Sequence, residues 1–234
     1  MTRSASGSGY YRTGLAGEYL RRCYEISPPR IRQYLRAELD HVLARIPRGA
    51  RVLDMGCGYG RVIPRLLERA ALVVGIDNSC RSLELGAALL RPTVGAHLIG
   101  MDASALGFCD GSFDVIACIQ NGISAFRADR GLLLAEALRV TLPAGIALFS
   151  TYAPAIWEER LDWFRRQSEA GLIGEIDWER TREGVIACRD GFLATTPTAA
   201  ELLGLARGLP ARAAIVEVDA SSLFLELRKE GRPR

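Results

Sequence analysis

The nine residues Val52-Leu53-Asp54-Met55-Gly56-Cys57-Gly58-Tyr59-Gly60 hold the densest chemistry in this chain. A hydrophobic run meets a carboxylate at Asp54, and three glycines follow at alternate positions, Gly56, Gly58 and Gly60. Backbone without side chains turns sharply there and brings its amides close to a ligand. The spacing is G-x-G-x-G with an acid upstream, and Arg61 stands where the dinucleotide fingerprint G-x-G-x-x-G puts its third glycine. Cys57 reads as a small spacer, since the sequence sets no cluster of Lys, Arg or His beside it to activate a thiol. Further along, Asp77-Asn78, Asp102-Ala103 and Ile119-Gln120-Asn121 each close an apolar run with polar groups.

These groups need a scaffold that brings the ends of several apolar runs to one edge. Apolar runs over 51–54, 71–76, 97–100, 113–119 and 146–150 alternate with helical patterns at 62–69, 80–90 and 129–141. Strands that alternate with helices form parallel crossovers, and near-continuous apolar strands belong to a sheet covered on both faces. The class is therefore α/β, and ligands of such sheets sit beyond the carboxyl ends of the strands. Ahead of this core, helices are expected at 13–25 and 30–45, behind a Ser/Gly-rich start, residues 1–9, that reads as mobile. Behind it come a helix at 155–170, short antiparallel strands at 175–181 and 185–195, a helix at 198–208, and a closing hairpin of 213–218 with 222–228.

The chain has 234 residues, 49% hydrophobic and 24% charged, with a formal net charge of +3. That is room for one substantial core. The modest charge asks for no nucleic-acid partner, and no apolar run is long enough for a membrane span. Cys23, Cys57, Cys80, Cys109, Cys118 and Cys188 show no C-x-x-C spacing, and His41 and His97 are the only histidines. No metal site is expected, and the cysteines read as reduced thiols of a cytoplasmic protein.

The segment 52–60 resembles motif I of the class I S-adenosylmethionine-dependent methyltransferases. The resemblance implies a Rossmann-like, seven-stranded, mostly parallel sheet with a final antiparallel strand and helices on both faces. It divides the chain into an N-terminal helical arm (1–48), a methyltransferase core (49–151 and 196–230) and an α+β lid insertion (152–195). The implied cofactor is S-adenosyl-L-methionine, leaving as S-adenosyl-L-homocysteine. Asp54, Gly56, Cys57, Gly58 and Gly60 would lie beside its methionine part, and Asp77 would take the ribose hydroxyls. Asn78, Asp102 and Ala103 would lie at the adenine, with Ile119 and Gln120 facing the reacting methyl. Taken singly, Asp77 has the alternative of a helix cap, Asp102 of a loop or cap residue and the glycines of a generic turn.

The stretch Cys118-Ile119-Gln120-Asn121-Gly122-Ile123-Ser124, with Tyr11, Gly14, Ala16, Arg30 and Tyr34, is similar to glycine and sarcosine N-methyltransferases. That similarity implies that Arg30 binds the cofactor carboxylate, Tyr11 lines the methyl-transfer space and Asn121 orients the acceptor. Tyr152, in Ser150-Thr151-Tyr152-Ala153-Pro154, joins the catalytic candidates. No arginine stands in that stretch to anchor a small amino acid; the nearest guanidiniums are Arg12 and Arg127. Aromatic residues of the insertion, Trp157, Trp163, Phe164, Trp178 and Phe192, serve either as core or as a lid that sets substrate identity. The expected reaction is in-line methyl transfer to a small-molecule acceptor, governed by orientation. An NAD-type oxidoreductase and a non-catalytic S-adenosylmethionine-binding module are the rivals, and monomer and homo-oligomer are both open.

Overall fold

The apolar runs become strands β1 (Ala50–Met55), β2 (Ala70–Asp77), β3 (Ala96–Gly100), β4 (Phe113–Cys118) and β5 (Thr141–Tyr152) of the computed structural model, which describes residues 10–126 and 128–231. A small hairpin follows, β6 (Val185–Ala187) with β7 (Leu193–Thr195), and then β8 (Ala211–Val218) and β9 (Ser222–Lys229). Seven strands join in the order β3-β2-β1-β4-β5-β9-β8. β1 to β5 pair in parallel, and β9 runs antiparallel to both β5 and β8. The expected mixed sheet is thus present. Its order reverses between β1 and β4, so their carboxyl tips flank the crevice where such sheets bind ligands.

Alternation along the strands feeds two apolar layers. Leu53 and Met55 of β1 pack on one face with Leu133, Leu134 and Ala137 of helix α6 (Arg130–Val140). Val52 faces the other way, toward Leu39 and Val42 of helix α2 (Pro29–Leu43) and Ile63 of the single-turn helix α3 (Ile63–Leu66). Ser79 caps helix α4 (Cys80–Leu89) and Asp129 caps α6, each accepting from backbone amides of the first turn. Helix α5 is the short Gly122–Ala125 turn after β4.

Several expected boundaries shift. The first helix splits into a π-turn at Tyr10–Gly14 and α1 (Glu18–Glu25), because Gly17 adopts φ 59° between them. The helix after Gly60 shrinks to one turn. β5 begins at once after α6, at Thr141, with a register shift opposite Phe113 to Val115 that absorbs Pro143-Ala144-Gly145. Residues 175–181 form no strand; Ile176 only bridges Cys188, and the hairpin is made within 185–195. Residues 1–9 and Arg127 lie outside the described residues.

Arm and insertion share one apolar cluster: Tyr10, Leu15, Ile31 and Tyr34 with Ile156 of a short 3-10 turn (Pro154–Ile156), Trp163 and Phe164 of helix α7 (Trp157–Glu169), and Phe192 between β6 and β7. Burying each such side chain contributes about 1.5–3 kcal/mol. Polar pairs fix the register: Trp163 Nε1 donates to Cys23 O at 2.9 Å, and the Tyr10 hydroxyl donates to Asp190 at 2.7 Å. The chain closes with helix α8 (Ala199–Leu205), capped by Thr198 and Glu201, before β8. Among the described residues, no helix is long and apolar enough to cross a membrane.

Candidate cofactor and active site

The glycine loop leaves β1 at Asp54, and the amides of Gly56 and Cys57 both donate to Ile76 O of β2, at 2.9 Å each. Gly56 holds φ +78°, and a Cβ there would stand 2.9 Å from Phe126 Cζ. A side chain at this position is therefore excluded twice, by conformation and by contact. Asp77 closes the loop from β2: one carboxylate oxygen accepts from Gly58 N at 2.9 Å, the other from Ser79 N at 2.8 Å. Ser79, not Asp77, caps α4. The Cys57 thiol is buried and its acidity is suppressed by burial and then by Asp54 and Asp77, which fits a packed spacer and not a nucleophile.

A cavity opens over this loop. Asp54, Gly56, Gly58 and Asp77 form its floor, Tyr11 and Tyr24 of the arm one wall, and Ile119, Gln120 and Phe126 the other. Two buried polar atoms in it have no partner, Asp54 Oδ2 and Arg61 Nη2. Asp54 is 2% exposed, and burial pushes its carboxyl up to about 7, with Arg61 opposing and Asp77 adding to the rise. The Arg61 guanidinium lies 4.5 Å from the Tyr24 ring centroid. An unpaired carboxylate oxygen and an unpaired guanidinium nitrogen in one pocket match the two ends of an α-amino acid. A second recess next door is formed by Asn78, Met101, Asp102, Ala103 and Ala128, and shares Asp77, Asn78 and Phe126 with the main cavity. Asp102 accepts from the Ser104 amide and hydroxyl at 2.8 and 2.7 Å, which holds its carboxyl below the usual range.

The chain after β4 is strained. Gln120 and Asn121 both adopt left-handed backbone, φ 57° and 60°, an arrangement found where surrounding contacts over-determine it. Those contacts come from far away in the sequence. Glu38 of α2, fully buried, accepts from Gln120 N at 3.1 Å and from the Ser222 hydroxyl at 2.7 Å, and Ser150 Oγ accepts from the same Gln120 amide at 2.8 Å. The Gln120 side chain accepts from the Tyr24 hydroxyl at 2.6 Å, so this loop and the arm are locked together over the cavity. Burial pushes the Glu38 carboxyl up to about 7, against hydrogen bonds that pull it down.

Three expected site residues are placed elsewhere. Arg30 is away from the cavity and pairs with Asp219 in the β8–β9 turn at 2.5 Å; the arginines that line the cavity are Arg61 and Arg12. Asn121 turns its side chain out of the cavity: its amide donates to Thr195 O at 2.8 Å and its oxygen accepts from Thr151 at 2.9 Å. Tyr152 is buried in the arm–insertion core, stacked on Tyr34 at 5.1 Å between centroids. Asp54, Gly56, Cys57, Gly58, Asp77, Asn78, Ile119, Gln120 and Tyr11 do line the main cavity, Asp102 and Ala103 line the recess, and Gly60 shapes the loop beneath. Arg61, Tyr24 and Glu38 were missed by sequence reasoning. Only Arg61 left a signal, a charge directly after a glycine loop. Among the described residues, no group of three or more His, Cys, Asp or Glu side chains is placed to hold a metal ion.

Residues 52–145 match the family described as methyltransferase domain. The chain is 31% identical over 157 residues to 2-methyl-6-phytyl-1,4-hydroquinone methyltransferase of Synechocystis sp., a match that covers 62% of this chain and 46% of that protein. It thus spans about half the length of the curated relatives it matches. A solved protein from Pyrococcus horikoshii OT3 superposes with a TM-score of 0.65 at 20% identity, over 94% of this chain and 98% of that one. The 1,6-didemethyltoxoflavin-N1-methyltransferase of Burkholderia thailandensis, solved with S-adenosylhomocysteine, gives a TM-score of 0.58 at 20% identity, over 91% and 88%.

Proposed function

We propose, from the premise that the chain carries a class I S-adenosylmethionine-dependent methyltransferase domain, that it transfers a methyl group from S-adenosyl-L-methionine to a small-molecule acceptor. The observation that supports this best is the pair of buried, unpartnered atoms of opposite charge, Asp54 Oδ2 and Arg61 Nη2, over a loop that a Cβ would fill. Asp54 holds the ammonium of the cofactor's amino-acid end and Arg61 its carboxylate. Asp77 keeps lone pairs for the ribose hydroxyls beyond its two backbone partners. The recess at Asn78, Asp102 and Ala103 takes the base. When bound, the cofactor supplies a methyl group on a positively charged sulfur.

The rest of the site orients and excludes water. Tyr11 and Tyr24 of the arm and Ile119 and Gln120 after β4 enclose the space between them, so an acceptor atom is held in line and kept dry. Both named relatives are methyltransferases whose names carry small-molecule acceptors, a hydroquinone and 1,6-didemethyltoxoflavin, which supports the acceptor class.

Calorimetry with S-adenosylhomocysteine and with NAD tests the reading. Binding of the first and not the second is expected, with affinity reduced at least tenfold by Arg61→Met and unchanged by Arg30→Ala. The opposite ranking of the two arginines, or heat with NAD alone, refutes it.

A further inference from the structure

Arg160 of α7 is 1% exposed. Nη1 donates to the Thr196 hydroxyl at 2.5 Å, and Nη2 reaches Ala194 O at 3.5 Å. Nε, equally buried, has no partner. The guanidinium lies 4.3 Å from the Tyr152 ring centroid, 5.5 Å from Phe164 and 5.9 Å from Trp157. Among the described residues it forms no ion pair, whereas Arg139, Arg45 and Arg30 each meet a carboxylate. Stacking on aromatic faces returns only part of what a cation loses on leaving water. A second buried polar atom stands beside it without a normal hydrogen bond: the Tyr34 hydroxyl, whose ring stacks on Tyr152. Its polar neighbours are Glu38 and Tyr152.

This unpaired charge sits behind the wall of the cofactor cavity. Tyr11 lines the cavity and lies within electrostatic reach of both Tyr152 and Arg160. Two guanidiniums thus each hold a buried nitrogen without a partner, Arg61 over the Tyr24 ring and Arg160 over the Tyr152 ring. Arg61 serves the donor side.

Resting on the methyl-transfer reading, we infer that Arg160, with the Tyr34 hydroxyl, anchors a carboxylate of the methyl acceptor, so that the substrate class is small organic acids. The acid's oxygen accepts from Arg160 Nε and from a tyrosine hydroxyl, and restores the charge balance that the folded chain leaves open. Placement in the insertion, outside the glycine-loop core, puts this choice in the segment that packs over the site.

The test titrates benzoate, phenylacetate and 4-hydroxybenzoate, each against its primary amide, with and without S-adenosylhomocysteine. The wild type is expected to bind the acids at least tenfold more tightly than the amides. Arg160→Met abolishes that preference, Arg160→Lys keeps part of it, and Thr196→Val, which removes only the strut contact, keeps it. Absence of an acid preference in the wild type, its survival in Arg160→Met, or its equal loss in Thr196→Val overturns the inference. Lack of S-adenosylhomocysteine binding by the wild type would instead sink the cofactor reading, because the acid preference is read without cofactor as well.

Discussion

Asp54 provides a direct test of how the cavity takes its ligand. Its carboxyl, buried and pushed up to about 7, is largely protonated at pH 6 when the cavity is free. An ammonium group set against Oδ2 favours the ionised form, so binding must drive the proton off. At one unit below its pKa a group is about nine-tenths protonated, so binding at pH 6 should release about 0.9 proton and at pH 7 about 0.5. Affinity then rises about fivefold, or about 1 kcal/mol, from pH 6 to pH 7. An α-amino group stays mostly protonated over that interval, with a reference value of about 8. Asp77 is also raised by burial, but it keeps its Gly58 and Ser79 amides in either state. Titrations of S-adenosylhomocysteine in buffers of different ionisation enthalpy count the protons directly. Asp54→Asn should bind more weakly and show no proton release between pH 6 and pH 7. Equal proton release by the wild type and Asp54→Asn, or none by the wild type at pH 6, refutes the assignment of the ammonium to Asp54.

Three further outcomes follow from packing and charge. Gly86→Ala, a change worth about 1 kcal/mol of stabilisation inside an ordinary helix, should destabilise here by about 1–3 kcal/mol, because its Cβ would stand 2.8 Å from Tyr59 O; a raised melting temperature contradicts this. Asn121→Ala should cost about 2–4 kcal/mol by stranding Thr151 and Thr195 O, and Asn121→Gly should be about 1 kcal/mol more stable than the alanine variant because φ is 60°; chemical denaturation ranks the two. Glu38, raised from 4.5 to about 7 in the fold, keeps its proton in the folded state longer than in the unfolded one. Stability should therefore fall as pH rises from about 5 to 7, and Glu38→Gln should flatten that slope in urea titrations.

The sheet was legible because its strands are continuous apolar runs whose ends carry the polar groups: Asp54, Asp77 and Asp102 all meet the cavity or its recess. Periodicity says nothing about pairings across the chain. Arg30 has the right type and the wrong neighbours, since Asp219 lies 189 positions away and claims it. Asn121 is likewise spoken for by Thr195, 74 positions on. Arg61 was visible only as a residue that broke a fingerprint, and the role proposed for it rests on the burial that leaves Nη2 without a partner. Glu38 reads in sequence as one more charge on an amphipathic helix; only the fold turns it inward under Gln120.

Because Tyr10 bonds to Asp190 and Trp163 to Cys23, the segment that shuts the donor's compartment and the one that surrounds Arg160 are riveted into a single shell. If the proposed methyl transfer holds, spent donor leaves when that shell loosens as a unit. On that same reading, remodelling the insertion for a different acceptor would also change how fast the exhausted nucleoside is traded for a fresh one, because one shell covers both.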